Sequence, residues 1–158
     1  MTALKSVASA LLVAIAPLSE AQLLQPPVPS SFESTGPDRQ AIETLLETYT
    51  RAVSTKDQAL FESILLNKAI PFSDAGSAIK SNGAEGGTSR YDAFRKGVFE
   101  GAAFTQKFQD VHISQRGPLA DVTLVYVNSS ADGSGWGWKT MQLLKVAGHW
   151  KIASEFFA

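Results

Sequence analysis

Near Phe104 the chain changes its hydrophobic period, and that change limits the folds open to it. Before this point apolar residues recur every three or four positions. Ile42, Leu45, Leu46, Tyr49 and Val53 form one stripe, Leu60, Phe61, Ile64 and Leu65 a second, and Tyr91, Phe94, Val98 and Phe99 a third. After it, residues alternate in runs separated by Gly117-Pro118, by the loop SSADGSG and by Ala147-Gly148-His149. Segregated helical and alternating periods imply helices first and a meander after, the α+β class. The expected architecture is three N-terminal helices packed in a curved antiparallel β-sheet. The final strand, Trp150 to Phe157, should lie inside the sheet beside the third long strand, its apolar side covered by the first helix, because Trp150, Ile152, Phe156 and Phe157 need burial.

Local signals set the expected boundaries. Thr35 and Asp38 have capping-box spacing with Pro37 in the first turn, Asp57 can cap the second helix, and Ser89 and Asp92 repeat the box before the third. Ala69 to Asp74 is expected as a short strand, at an edge because of Pro71. Ala75 to Thr88, with four of the twelve glycines, is expected as a long loop at a pocket mouth. In FTQKFQDVHISQR, Phe104 and Phe108 are out of phase with Val111 and Ile113. One extra residue near Gln109 or Asp110 restores the phase, which is what a β-bulge does.

A net charge of −1 without basic runs argues against nucleic acid as a partner. The absence of cysteine excludes disulfides and thiolate chemistry. Lys5, the 12-residue apolar run Val7 to Leu18 and Ser19-Glu20-Ala21 have the order of a cleavable signal peptide over residues 1–21, too short to span a membrane. The expectation is a secreted or periplasmic protein with no membrane attachment after cleavage. Gln22 to Pro37, with four of the seven prolines, is expected as an extended linker, and 38–158 as the domain.

Two segments carry a family resemblance: AIETLLETYTRAVSTKDQALFESIL at the front and LLKVAGHWKIASEFF at the end. The chain resembles the nuclear transport factor 2-like superfamily, the cone fold shared by ketosteroid isomerase, scytalone dehydratase and polyketide-cyclase-like proteins. The resemblance implies an apolar cavity open at one end and dimerisation through the open sheet face. It also implies a place for a hydrogen-bond donor, Tyr49, and for a general base near Asp74. The match departs from the isomerase in two ways. Asp74 is one residue beyond the base's place, nearer Ser73, and Gln142 or Met141 stands where that enzyme has a second acid.

Each candidate has a plainer alternative. Tyr49 also fits a core tyrosine whose hydroxyl is satisfied by a neighbour, and Asp74 a turn cap. Trp136 and Trp138 fit a ligand wall or a dimer face, and Asp110 with His112 an acid–base pair or an exposed surface pair. Arg90 and Arg95 flank the third stripe, and Arg90, at the end of the glycine-rich loop, fits a contact to an anionic ligand or a solvated cation. Glu155 fits a pair with a neighbouring Lys or a place on the solvent side, since the other face carries Ile152 and Phe156, and a bulge in the last strand would turn it inward instead. Asn128-Ser129-Ser130 matches a glycosylation sequon. Two separated histidines make no metal set, and no cofactor is expected.

The leading expectation is therefore an exported domain binding a small apolar or aromatic molecule. Its pocket is expected to be walled by Phe72, Tyr91, Phe94, Trp138, Gln142 and Phe156. The alternatives are a cofactor-independent isomerase or lyase using Tyr49 and Asp74, and a non-catalytic homodimeric interaction module.

Overall fold

Helix α1, Gly36–Thr55, presents Ile42, Leu45, Leu46, Tyr49, Ala52 and Val53 as one buried stripe, as its period dictates. The computed structural model describes residues 32–84 and 90–158. The expected signal peptide, residues 22–31 of the linker, and Ser89 lie outside the described residues. The linker's last residues are already packed. Ser34 is buried, its amide donates to the Ile113 carbonyl (3.0 Å), and the Phe32 carbonyl accepts from Gln115 (2.6 Å).

The expected capping box at Thr35 does not form, since Thr35 makes no side-chain cap bond. The Asp38 carboxylate instead reaches across the domain. Its Oδ1 accepts from Lys145 Nζ (2.5 Å) and Trp150 Nε1 (3.2 Å), and its Oδ2 from Gln115 Nε2 (2.9 Å). Helix α2, Gln58–Ser63, is capped as expected, with Asp57 accepting from the Leu60 amide (2.9 Å).

Strand β1, Phe72–Asp74, is short and lies at the sheet edge. The segment expected as a long loop begins instead with a helix, α3, Ala75–Lys80, which buries no residue. Asp74 starts it by accepting from the Ser77 amide (2.6 Å). The third stripe splits into α4, Tyr91–Arg95, and a π-helical turn, Lys96–Glu100. Lys56 ties this turn down by donating to the carbonyls of Val98 and Ala102.

Strands β2 (Thr105–Arg116), β3 (Leu119–Ser130), β4 (Gly133–Val146) and β5 (His149–Phe157) form the meander. The sheet order is β1-β5-β4-β3-β2, curved and unclosed, with the helices packed against one face. β5 is thus interior, between β4 and β1. The β1–β5 pair is parallel, the exception in a sheet expected to be antiparallel throughout. Two bulges set the side-chain phase. In β2 the register shifts between Gln109 and His112, with Asp110 at φ 51°, where the sequence required an extra residue. In β5 the register passes from Ile152 opposite Leu143 to Ser154 opposite Gln142, which leaves Ala153 unpaired. Trp150 and Ile152 face the core before this point, and Glu155 is buried after it.

Candidate functional site

Between α4, the π-helical turn and the inner face of the sheet lies a cavity of about 310 Å³. Its walls come from Phe72 and Asp74 on β1, Ala93 and Phe94 on α4, Gly97 and Val98 on the π-helical turn, and Phe104. The sheet adds Gln106 from β2, Tyr126 and Asn128 from β3, Lys139 from β4 and Phe157 from β5. Pleating explains the choice. Gly137, Lys139, Met141 and Leu143 alternate inward on β4, so Trp136, Trp138 and Gln142 point outward.

The polar part of the wall is built around buried groups. Lys139 is 2% exposed, and its Nζ lies 2.8 Å from Glu155 Oε1. It also donates to the Tyr49 hydroxyl (2.6 Å), which in turn donates to Glu155 Oε1 (3.0 Å). Burial pushes the Lys139 ammonium down from its ordinary pKa and the Glu155 carboxyl up, each opposed by the other's charge. Burial also raises the Tyr49 hydroxyl well above the usual tyrosine range, with the Glu155 charge adding to it. The Tyr49 ring lies 4.4 Å from Lys139 Nζ, and the rings of Phe94, Phe108, Tyr126 and Phe157 complete an aromatic cage around it. Among the described residues Glu155 Oε2 has no hydrogen-bond partner.

Gln106, 8% exposed, forms a second polar position. Its amide Nε2 donates to Asn128 Oδ1 (2.8 Å), while its Oε1 has no hydrogen-bond partner among the described residues. Tyr126 lies above Gly137 and donates to the Ala158 carbonyl (3.1 Å). A β-carbon at Gly137 would meet the Ala158 oxygen at 2.0 Å and the Tyr126 hydroxyl at 2.5 Å, so only glycine admits this approach.

The sequence-predicted residues divide. Phe72, Phe94 and Asp74 line the cavity. Tyr91 is buried behind them, stacked on Phe61 with ring centroids 5.9 Å apart. Tyr49 is fully buried below Lys139 and is not part of the cavity wall. Its hydroxyl is engaged by Glu155 and Lys139 rather than paired with Asp74, whose Oδ1 caps α3. Trp138, Gln142 and Phe156 stand on the outer sheet face, not in the cone. Gln142 and Phe156 border a separate depression of about 510 Å³ there. The reason is phase: Trp138 and Gln142 alternate with inward Lys139 and Met141, and the Ala153 bulge turns Phe156 out as it turns Glu155 in.

Asp110 and His112 form an exposed pair (3.1 Å) at the β2 bulge, and Arg95 pairs with Glu100 (2.7 Å). Among the described residues there is no cluster of three or more His, Asp or Glu side chains suited to a metal, and no helix long and apolar enough to cross a membrane. The sequence reading passed over Lys139, Gln106, Tyr126 and Phe157. Lys139 carried a usable signal, a lone cation in phase with Met141 and Leu143.

No curated protein matches this chain. Among solved structures, an NTF2-like protein of unknown function from Pseudomonas putida is 16% identical, with a TM-score of 0.63 over 80% of this chain and 88% of that one. A protein of unknown function from Mycobacterium tuberculosis is 18% identical, with a TM-score of 0.61 over 77% and 75%. The association domain of C. elegans CaMKII is 15% identical, with a TM-score of 0.60 over 77% and 95%. These likenesses establish the nuclear transport factor 2-like fold. The family described as "Putative lumazine-binding" matches residues 37–158, and this chain belongs to it.

Proposed function

We propose that this domain binds a small, largely apolar molecule, of about single-ring aromatic size, in the cavity between α4 and the sheet. One observation carries the reading: an apolar-walled space of about 310 Å³ with a buried amide, Gln106, whose acceptor has no partner among the described residues. The volume is in the range of small-molecule sites. An orphaned buried acceptor costs about 1–3 kcal/mol, which a donor on the ligand recovers. The ligand therefore has an apolar body and a hydrogen-bond donor. The family's description, which names lumazine binding, supports a small-molecule role. The isomerase or lyase alternative needs Tyr49 to donate into the cavity beside Asp74, and that donor is already directed to Glu155.

The test is an NMR titration with phenol and with anisole, its methyl ether. Phenol should perturb the resonances of Gln106, Asn128 and Lys139 and bind about fivefold more tightly, the worth of one hydrogen bond of about 1 kcal/mol. Val98→Trp, which fills the cavity, should abolish both titrations. If neither compound at millimolar concentration moves these resonances, the proposal fails.

A second reading is favoured by Trp136 and Trp138, 78% and 55% exposed on the outer sheet face. We propose that this face pairs with a second copy of the chain. For localisation we propose export, on the strength of Lys5 and the apolar run Val7 to Leu18. The exported protein should begin at Gln22 by intact mass. Recovery of an uncleaved chain in the cytoplasm would overturn that.

A further inference from the structure

Lys139 enters the cavity wall on the inward row of β4, and two oxygens hold its Nζ, the Tyr49 hydroxyl at 2.6 Å and Glu155 Oε1 at 2.8 Å. An ammonium has three N–H bonds. Two of them meet these oxygens, and the rings of Phe94, Tyr126 and Phe157, all lining the cavity, have centroids 5.8, 5.3 and 5.7 Å from Nζ. Apolar replacement of a buried ion pair is commonly neutral or stabilising. A water-poor amine at the wall of an apolar cavity, with a carboxyl group in proton-transfer range, is what addition to a carbonyl requires.

We propose that Lys139 forms an imine with an apolar or single-ring aromatic aldehyde or ketone, with Glu155 carrying the proton. The inference rests on the cavity reading above and deepens it by naming the ligand class. The ammonium passes a proton to the Glu155 carboxylate. The freed lone pair of Nζ attacks the carbonyl carbon, a C–N bond forms, and an amine proton moves to the former carbonyl oxygen to give a carbinolamine. Glu155 returns its proton to that hydroxyl, the C–O bond breaks and water leaves. The product is an iminium whose charge faces the Glu155 carboxylate. One water is released per carbonyl, and nothing is oxidised or reduced. Burial favours the first step, because it disfavours the charged form of both partners.

The experiment uses the full domain, benzaldehyde as the probe, and sodium cyanoborohydride to trap the imine at pH 7, followed by peptide mapping. Lys139 should carry the benzyl group at about tenfold or more the occupancy of exposed Lys80 and Lys107, because the cavity holds the aldehyde beside its Nζ and Glu155 stands in place to take up the proton. Benzyl alcohol, which has the same shape but no carbonyl, should compete and slow the labelling. Lys139→Arg should reduce labelling to the level of the exposed lysines. Because mapping is done on the unaltered protein, the outcome does not depend on that variant folding. If benzyl alcohol perturbs the cavity resonances while Lys139 stays unlabelled, the inference is overturned and the cavity reading survives. If neither compound enters the cavity, both fall.

Discussion

Glu155 and Lys139 show how a single side chain can be placed at a cost. Each is buried, each has its pKa displaced by that burial, and each is held by the other. Removing one partner leaves the other charge unpaired, so Lys139→Met should destabilise the domain by about 3–5 kcal/mol. Adding Glu155→Leu to that variant should recover the loss, and can leave the double variant about 1–4 kcal/mol more stable than the original. Urea denaturation of the three proteins checks the order. A double variant as unstable as the single one would show that the pair contributes net stability. The sequence carried part of this site. Glu155 was foreseeable as inward only if its strand bulged, and it does. Tyr49 was found as a buried residue on α1, but its partners were not, because they lie 106 and 90 positions away. Lys139 was missed because a cation on a strand is ordinarily on the solvated face.

Elements here are fixed by phase and by long polar ties more than by local caps. The three apolar stripes, the alternation after Phe104 and the β2 bulge were legible because each is a period, or a slip in one. Helix α3 was not, since AGSAIK buries nothing and so leaves no stripe. The Thr35 box failed because Asp38 has stronger partners across the domain. Hydrogen bonding from Lys145, then from Gln115 and Trp150, holds the Asp38 carboxyl below its usual 3.8. The folded state therefore binds that proton less tightly than the unfolded chain. The resulting stability is present above pH 3.8 and is lost as the pH falls through the lowered value. Asp38→Asn should consequently lower the melting temperature at pH 7, and the gap from the unaltered protein should narrow progressively below pH 3.8. A gap independent of pH would mean that Asp38 acts by packing alone. The β5 bulge makes a second element-scale prediction. Without Ala153 the ladder becomes regular, with Ser154 still opposite Gln142 and Glu155 still opposite Met141 on the inward face. Lys139 therefore keeps its counter-charge, and the deletion should preserve cooperative thermal unfolding, read by near-UV circular dichroism; loss of cooperativity would show that the bulge itself is needed to seat Glu155.

At the scale of the whole molecule the sheet has one face spent and one left over. Its concave face buries the helical stripes, while the outer face carries Trp136 and Trp138 in a row, with Phe156 opposite Thr140, the next outward position. An antiparallel sheet tolerates water on one face, and then ordinarily shows it polar side chains. Scattered exposed apolar residues mean little, but adjacent large aromatics form the kind of patch that marks an interface. A second copy is the natural occupant, because a twofold contact lets one patch satisfy itself. Sedimentation equilibrium should therefore give a dimer at about 50 µM, the range expected of a modest interface. Trp136→Ser with Trp138→Ser should give a monomer with unchanged far-UV circular dichroism, because both side chains lie outside the core. That variant should still bind phenol, since the cavity opens on the other side of the sheet. A monomeric wild type at that concentration would leave the outer face without a partner of its own kind. Loss of phenol binding on dissociation would mean that the second copy helps to shape the cavity.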